Sequence, residues 1–178
     1  MNEMEKKTMS KISPEKNDPK EAALKKFIAQ RGGYTEDDMK SVTVDRYFCS
    51  RCSEYRYEAC GEEFFVLEDE RAYALAFQLI EDELWAFPPD FIAAHLKYDI
   101  VYCDHPVNLD DLRLAIRAAQ ERLCEGANAI IYALIDDLEE FADDAIAACG
   151  RGHFISSYDG VEHDVTVDGE TYYIYRLS

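Results

Sequence analysis

Basic residues are the scarce class in this chain. Nineteen Lys and Arg stand against 37 Asp and Glu in 178 residues, a formal net charge of −18. A phosphate backbone has to be neutralised by Lys and Arg, and an anionic leaflet recruits polybasic segments. The balance therefore speaks against direct nucleic-acid binding and against docking on anionic membranes. Long apolar runs are missing as well. The most apolar window, Tyr73 to Ile80, falls far short of the roughly 20 residues a spanning helix needs, and Gln78 interrupts it. The opening Met1-Asn2-Glu3-Met4-Glu5-Lys6-Lys7 has no apolar stretch behind it, so no secretory signal and a cytoplasmic location are expected. In that compartment the six cysteines stay reduced.

What is present can fold. The chain is 48% hydrophobic with 9 Phe and 12 Tyr, and at this size folding removes about 70% of the unfolded surface from water. Length alone gives roughly one domain. The expectation is a flexible tail over 1–18 followed by a single α+β domain over 19–178. Charge divides the chain unevenly. Residues 1–40 carry 9 basic and 8 acidic residues, whereas 41–178 carry 10 and 29. The whole imbalance sits in the part expected to fold.

Asp18-Pro19 can open a helix, because Asp accepts from exposed N–H groups and Pro is tolerated at the first helical position. Ala22, Leu24, Phe27 and Ile28 follow, and Gly32-Gly33 end it. Residues 42–67 read as strands: Val42, Val44 and Tyr47-Phe48, then alternating Tyr55 and Tyr57, then Phe64 to Leu67 after a Cys60-Gly61 turn. Glu68-Asp69-Glu70 suit the first turn of a helix that carries helical spacing to Trp85, and Pro88-Pro89 break it. Asp90 suits the cap of a short helix reaching His95, and Asn108 caps another with an apolar stripe of Leu109, Leu112, Ile116, Ala119 and Leu123. Ala127, Ile131, Leu134, Leu138, Phe141, Ala145 and Ala148 form a seam that predicts one long helix over 125–149. Asp168-Gly169 between alternating runs predicts a hairpin over 161–177. The sum is α+β: a small antiparallel sheet of hairpins packed on four to five helices.

Three clusters carry candidate chemistry. Asp136, Asp137, Glu139, Glu140, Asp143 and Asp144 crowd the face opposite the long seam, with no Lys or Arg interspersed. Like charges four apart disfavour an isolated helix by about 0.2–0.5 kcal/mol per pair. Carboxylates along a helix, with its 1.5 Å rise per residue, can resemble the charge density of duplex DNA. Glu81, Asp82 and Glu83 repeat the pattern. A solvated face of an acidic protein is the plainer reading. Second, Cys49-Ser50-Arg51-Cys52 is a C-x-x-C, Cys60 follows, and Cys103 and His105 sit in a loop-like Tyr-Cys-Asp-His-Pro. Such a set can hold zinc tetrahedrally, but the second pair is C-x-H, and reduced structural thiols are the plainer expectation. A thioredoxin-like motif would open a helix, whereas this one sits between strands. Third, the Gly150–His163 loop gathers Arg151, His153, Ser156, Ser157 and Asp159. His153 as base, a serine as nucleophile and Asp159 as orienter would make a hydrolase-like site, yet no G-x-S-x-G elbow is present. His95 and His163 read as ordinary helix and strand positions, and Trp85 and Phe87 as core.

The run Phe65-Val66-Leu67-Glu68-Asp69-Glu70-Arg71-Ala72, the stretch Trp85-Ala86-Phe87, Phe91 to His95, and Gly150-Arg151-Gly152-His153-Phe154-Ile155-Ser156-Ser157-Tyr158-Asp159-Gly160 through Arg176 resemble a group of small acidic proteins encoded by bacteriophages and prophages. The resemblance covers about residues 64–178 and implies a small accessory phage protein acting in an infected bacterium. It implies no catalytic residue, and the C-x-x-C departs from the group's pattern. Together with the charge it leads to a non-enzymatic inhibitor that binds a basic nucleic-acid-handling host protein. The clusters at 136–144 and 81–83 would form its binding face, and it would need no cofactor. A small enzyme using the 150–163 loop and a zinc-stabilised interaction module are the alternatives.

Overall fold

The computed structural model describes residues 11–12, 18–32, 35–97 and 107–178. Contacts gather the chain into two compact units, one of residues 1–76 with 150–178 and one of residues 77–149. The fold is α+β, and among the described residues no helix is long and apolar enough to cross a membrane.

The first unit is built on an antiparallel sheet. Its strands are β1 (Lys11–Ile12), β2 (Val44–Cys49), β3 (Glu54–Ala59), β4 (Glu62–Leu67), β5 (His163–Val167) and β6 (Glu170–Arg176), in the order β1-β2-β3-β4-β6-β5. Of residues 1–18 the structure describes Lys11–Ile12, which pairs with β2, and Asp18, which accepts from the Lys20 N–H at 2.9 Å. The Asp168-Gly169 turn forms as expected, with φ of +51° and +90° at its two residues. Both central residues of this hairpin turn need positive φ, which Asp tolerates and Gly favours. Helix α1 (Pro19–Gly32) lays Leu24, Phe27 and Ile28 on the sheet. They pack with Val44, Tyr57, Phe64, Val66, Val165, Tyr172 and Ile174, and each large apolar side chain so buried contributes about 1.5–3 kcal/mol. The short α2 (Glu36–Lys40) adds Met39 to this core, its start fixed by a reciprocal cap between Thr35 and Asp38.

Polar networks pin the edges of this unit. The Arg46 guanidinium meets Asp18 at 3.0 Å, and the Tyr57 hydroxyl donates to the same carboxylate at 3.3 Å. Burial, followed by the charge of Asp18, holds the Tyr57 phenol well above its ordinary value. Residues 151–155, expected as loop, form a helical turn, α8 (Arg151–Ile155). Arg151 grips both oxygens of Glu162 at 2.8 and 2.9 Å, reaches Asp69 at 2.7 Å and lies over the Tyr173 ring.

The second unit is helical. Helix α3 (Asp69–Asp82) enters it, and a turn of 3-10 helix follows at Leu84–Ala86. Helix α4 (Pro89–Ala94) has Pro88 as its cap, and Asp90, expected to cap it, lies inside its first turn. Asn108 caps α5 (Leu109–Leu123) as expected, accepting from the Asp110 N–H at 2.9 Å. Of the stripe proposed on α5, however, only Ile116 is buried, and Leu109 and Leu123 lie exposed. The long helix expected over 125–149 is broken. A 3-10 turn at Cys124–Ala127 leads into α6 (Asn128–Leu134), and after an extended Ile135 the chain restarts as α7 (Leu138–Cys149). Of the expected seam, Ala127, Ile131, Phe141 and Ala145 are buried, Leu134 and Leu138 are half-buried, and Ala148, at the end of α7, is exposed. Phe87, Phe91 and Phe141 pack ring against ring at 4.9–5.5 Å.

Gly152 generates a prediction. A Cβ at this position would lie 2.6 Å from the Glu162 N and the Gly160 O, both backbone atoms. Gly152→Ala should therefore destabilise the chain by about 1–3 kcal/mol in chemical denaturation, and an unchanged midpoint would contradict this packing.

Candidate functional site

The break between α6 and α7 shapes the acidic cluster. The chain leaves α6 because Ile135 bridges to Leu96. The Lys97 N–H donates to the Leu134 carbonyl at 3.0 Å, and the Asp136 N–H donates to the His95 carbonyl at 2.9 Å. Asp137 then caps α7, its carboxylate accepting from the N–H groups of Glu139 and Glu140 at 2.9 and 3.1 Å. A concave recess of about 250 Å³ results, lined by Ala94, His95, Leu96, Asp136, Asp137, Glu140 and Asp144. Four of the six carboxylates expected on one helix face therefore converge on one recess. Glu139 and Asp143 stand on α7 outside it.

His95 forms the inner wall. Its side chain is only 10% exposed, with Nε2 3.1 Å from an Asp144 carboxylate oxygen and Nδ1 2.9 Å from the Phe91 carbonyl. Both ring nitrogens thus face oxygen acceptors. The ring also packs on Phe91 and Phe141 at 4.8 and 5.0 Å. No Lys or Arg pairs with Asp136, Asp137 or Glu140 among the described residues. The unit's cations are used elsewhere or stand apart: Lys97 Nζ donates to the Ala133 carbonyl at 2.7 Å, and Arg113 bridges Asp90 and Asp110 at 2.7 and 2.9 Å. Residues 77–149 hold 16 acidic and 4 basic residues, against 21 and 15 in the other unit. Chemically, the recess is an acceptor-rich cup suited to an ammonium or guanidinium group.

Glu81, Asp82 and Glu83 close α3 and enter the following turn. Asn128 fixes them, donating to the Glu81 carbonyl at 2.7 Å and accepting from the Trp85 N–H at 3.0 Å. They do not line the recess.

The cysteines do not gather. Cys49 ends β2 and Cys52 lies in the β2–β3 loop, whereas Cys60 stands in the β3–β4 turn at the other end of β3, a strand of six residues, about 20 Å long. Cys103 and His105 lie outside the described residues. Among the described residues no group of His, Cys, Asp and Glu has metal-holding geometry.

The Gly150–His163 segment does not assemble a triad. Ser156 is buried, its Oγ 2.8 Å from both Asp159 Oδ1 and the Arg176 carbonyl. Ser157 donates to the Leu177 carbonyl at 2.8 Å, and the exposed His153 ring packs on Phe154 without a hydrogen bond to either serine. These groups tie the segment to the end of β6. Burial opposes ionisation of Asp159, but the Ser156 hydroxyl, the Val161 N–H and the nearby His163 and Arg176 outweigh it and hold the carboxyl below its ordinary value.

Comparison with protein-family models finds no match, and comparisons with curated proteins and with solved structures find none either.

Two predictions follow from these contacts. Asp137→Ala removes the α7 cap and should lower stability by about 1 kcal/mol, while Asp137→Asn retains most of it; equal losses in urea titrations would refute the capping role. Asp159 has a folded value below its ordinary 3.8. Its contribution is thus complete above that value and disappears as pH falls through the lower folded value. The stability gap between the native chain and Asp159→Asn should shrink on acidification from about pH 5 to pH 2, and a gap independent of pH would count against the network.

Proposed function

We propose that the chain is an acidic inhibitor that occupies the cationic, phosphate-holding groove of a nucleic-acid-handling protein. The carboxylates of the 77–149 unit would compete there with the nucleic acid. One observation carries the reading: the Asp136, Asp137, Glu140 and Asp144 carboxylates converge on one recess, and Lys or Arg neutralises none of them among the described residues. A merely solvated acidic face would spread its carboxylates and intersperse cations at helical spacings. Complementary charge of this kind speeds encounter and fixes register, and a few buried contacts then set the affinity. The resemblance to phage proteins supplies the setting, an infected bacterium whose restriction enzymes, CRISPR effectors and recombination nucleases all present such grooves.

The reading is tested with immobilised protein and lysate of the native host, at low and high salt, with and without added duplex DNA. Captured nucleic-acid-binding proteins should be released both by salt and by DNA. A variant carrying Asp136→Asn, Asp137→Asn, Glu140→Gln and Asp144→Asn should fold normally and lose most of the capture. Capture that survives both DNA and the fourfold neutralisation would dismiss the proposal.

A further inference from the structure

The β2–β3 loop carries a second chemistry, independent of the acidic unit. Cys49 ends β2 and pairs in register with Glu54 at the start of β3, so residues 50–53 close the loop between them. Within it the Cys52 thiol folds back on Cys49. The Cys52 S–H donates to the Cys49 carbonyl oxygen at 4.0 Å. Both thiols are half-buried and reachable from solvent, and no disulfide joins them in this state.

We propose that Cys49 and Cys52 form a thiol–disulfide exchange site in which Cys49 attacks, Cys52 resolves and a low-molecular-weight disulfide is the co-reactant. The electrostatics agree with this division. Burial opposes ionisation of Cys49, but the Cys52 N–H, the Cys52 thiol, the Arg51 N–H and the charge of Arg56 outweigh it and lower the thiol below its ordinary value. Burial, and then the hydrogen bond and charge of Cys49, push Cys52 up to about 11. The thiolate is the nucleophile, so attack starts at Cys49. It bonds to one sulfur of the disulfide, breaking the S–S bond and expelling a thiolate that takes a proton from solvent. With the negative charge on Cys49 gone, the main electrostatic hold on the Cys52 proton is gone too. Cys52 releases that proton to solvent, attacks the Cys49 sulfur and expels the second thiolate. The protein gives up two electrons and two protons, and the disulfide becomes two thiols.

The test uses the full chain with Cys60, Cys103, Cys124 and Cys149 changed to serine. The reduced protein is exposed to glutathione disulfide, quenched in acid and weighed intact. The expected product has lost two hydrogens and carries no adduct. Adding Cys52→Ser should trap one glutathione on Cys49, and adding Cys49→Ser should slow adduct formation at Cys52 several-fold. On the unsubstituted native chain, which needs no variant to fold, iodoacetamide should label Cys49 several-fold faster than Cys60, Cys124 or Cys149. Equal labelling rates, equal adduct rates in the two single-thiol chains, or a stoichiometric zinc ion that blocks the reduced pair would each overturn the assignment.

Discussion

The helix break between Leu134 and Leu138 is the constraint on which the candidate site depends. Two backbone hydrogen bonds make it, from Lys97 to Leu134 and from Asp136 to His95, and the Asp137 cap completes it. On an unbroken helix the six carboxylates of 136–144 would repel one another at spacings of three and four. The break changes that balance. Asp137 becomes a cap, and Glu139 and Glu140 fall in the first turn of α7, where the helix dipole favours negative charge. Asp136 leaves the helix and lines the recess with His95. A row that looks unfavourable in sequence is thereby accommodated, and among the described residues no Lys or Arg pairs with Asp136, Asp137 or Glu140.

The two units handle charge in opposite ways. In the first, arginines are consumed internally. Arg31 and Arg176 meet Glu62, Arg46 meets Asp18, Arg71 meets Glu54, and Arg151 meets Asp69 and Glu162. The partly exposed pairs add little each, about 0–1 kcal/mol, but the shielded ones orient segments far apart in sequence. Arg151 binds the start of α3 to residues just before β5. In the second unit the cations are few, 4 against 16 acidic residues, and Arg113 is held by Asp90 and Asp110.

Much of the fold was legible because the signals are local. Asp168-Gly169 names its own turn, and Asp18 and Asn108 each cap the helix that follows. The break at 135–137 was hidden because both flanking helices bury the same face, so the 3.6-residue rhythm of Ile131, Leu134, Leu138 and Phe141 runs straight through it. A signal was nonetheless present: Asp137-Leu138-Glu139-Glu140 has a capping residue followed three positions later by Glu, a pattern of helix starts. His95 gave no such signal, since its partner Asp144 lies 49 residues away. The short helix at 151–155 was concealed by its glycines, of which Gly152 serves close backbone approach to residues 160–162.

The most direct measurement of the central claim is the association rate between the captured partner and this chain as a function of ionic strength. If the recess carboxylates steer the encounter, the rate falls steeply with salt for the native chain, and the slope flattens when Asp136, Asp137, Glu140 and Asp144 are neutralised together. The same slope for both proteins would contradict the claim.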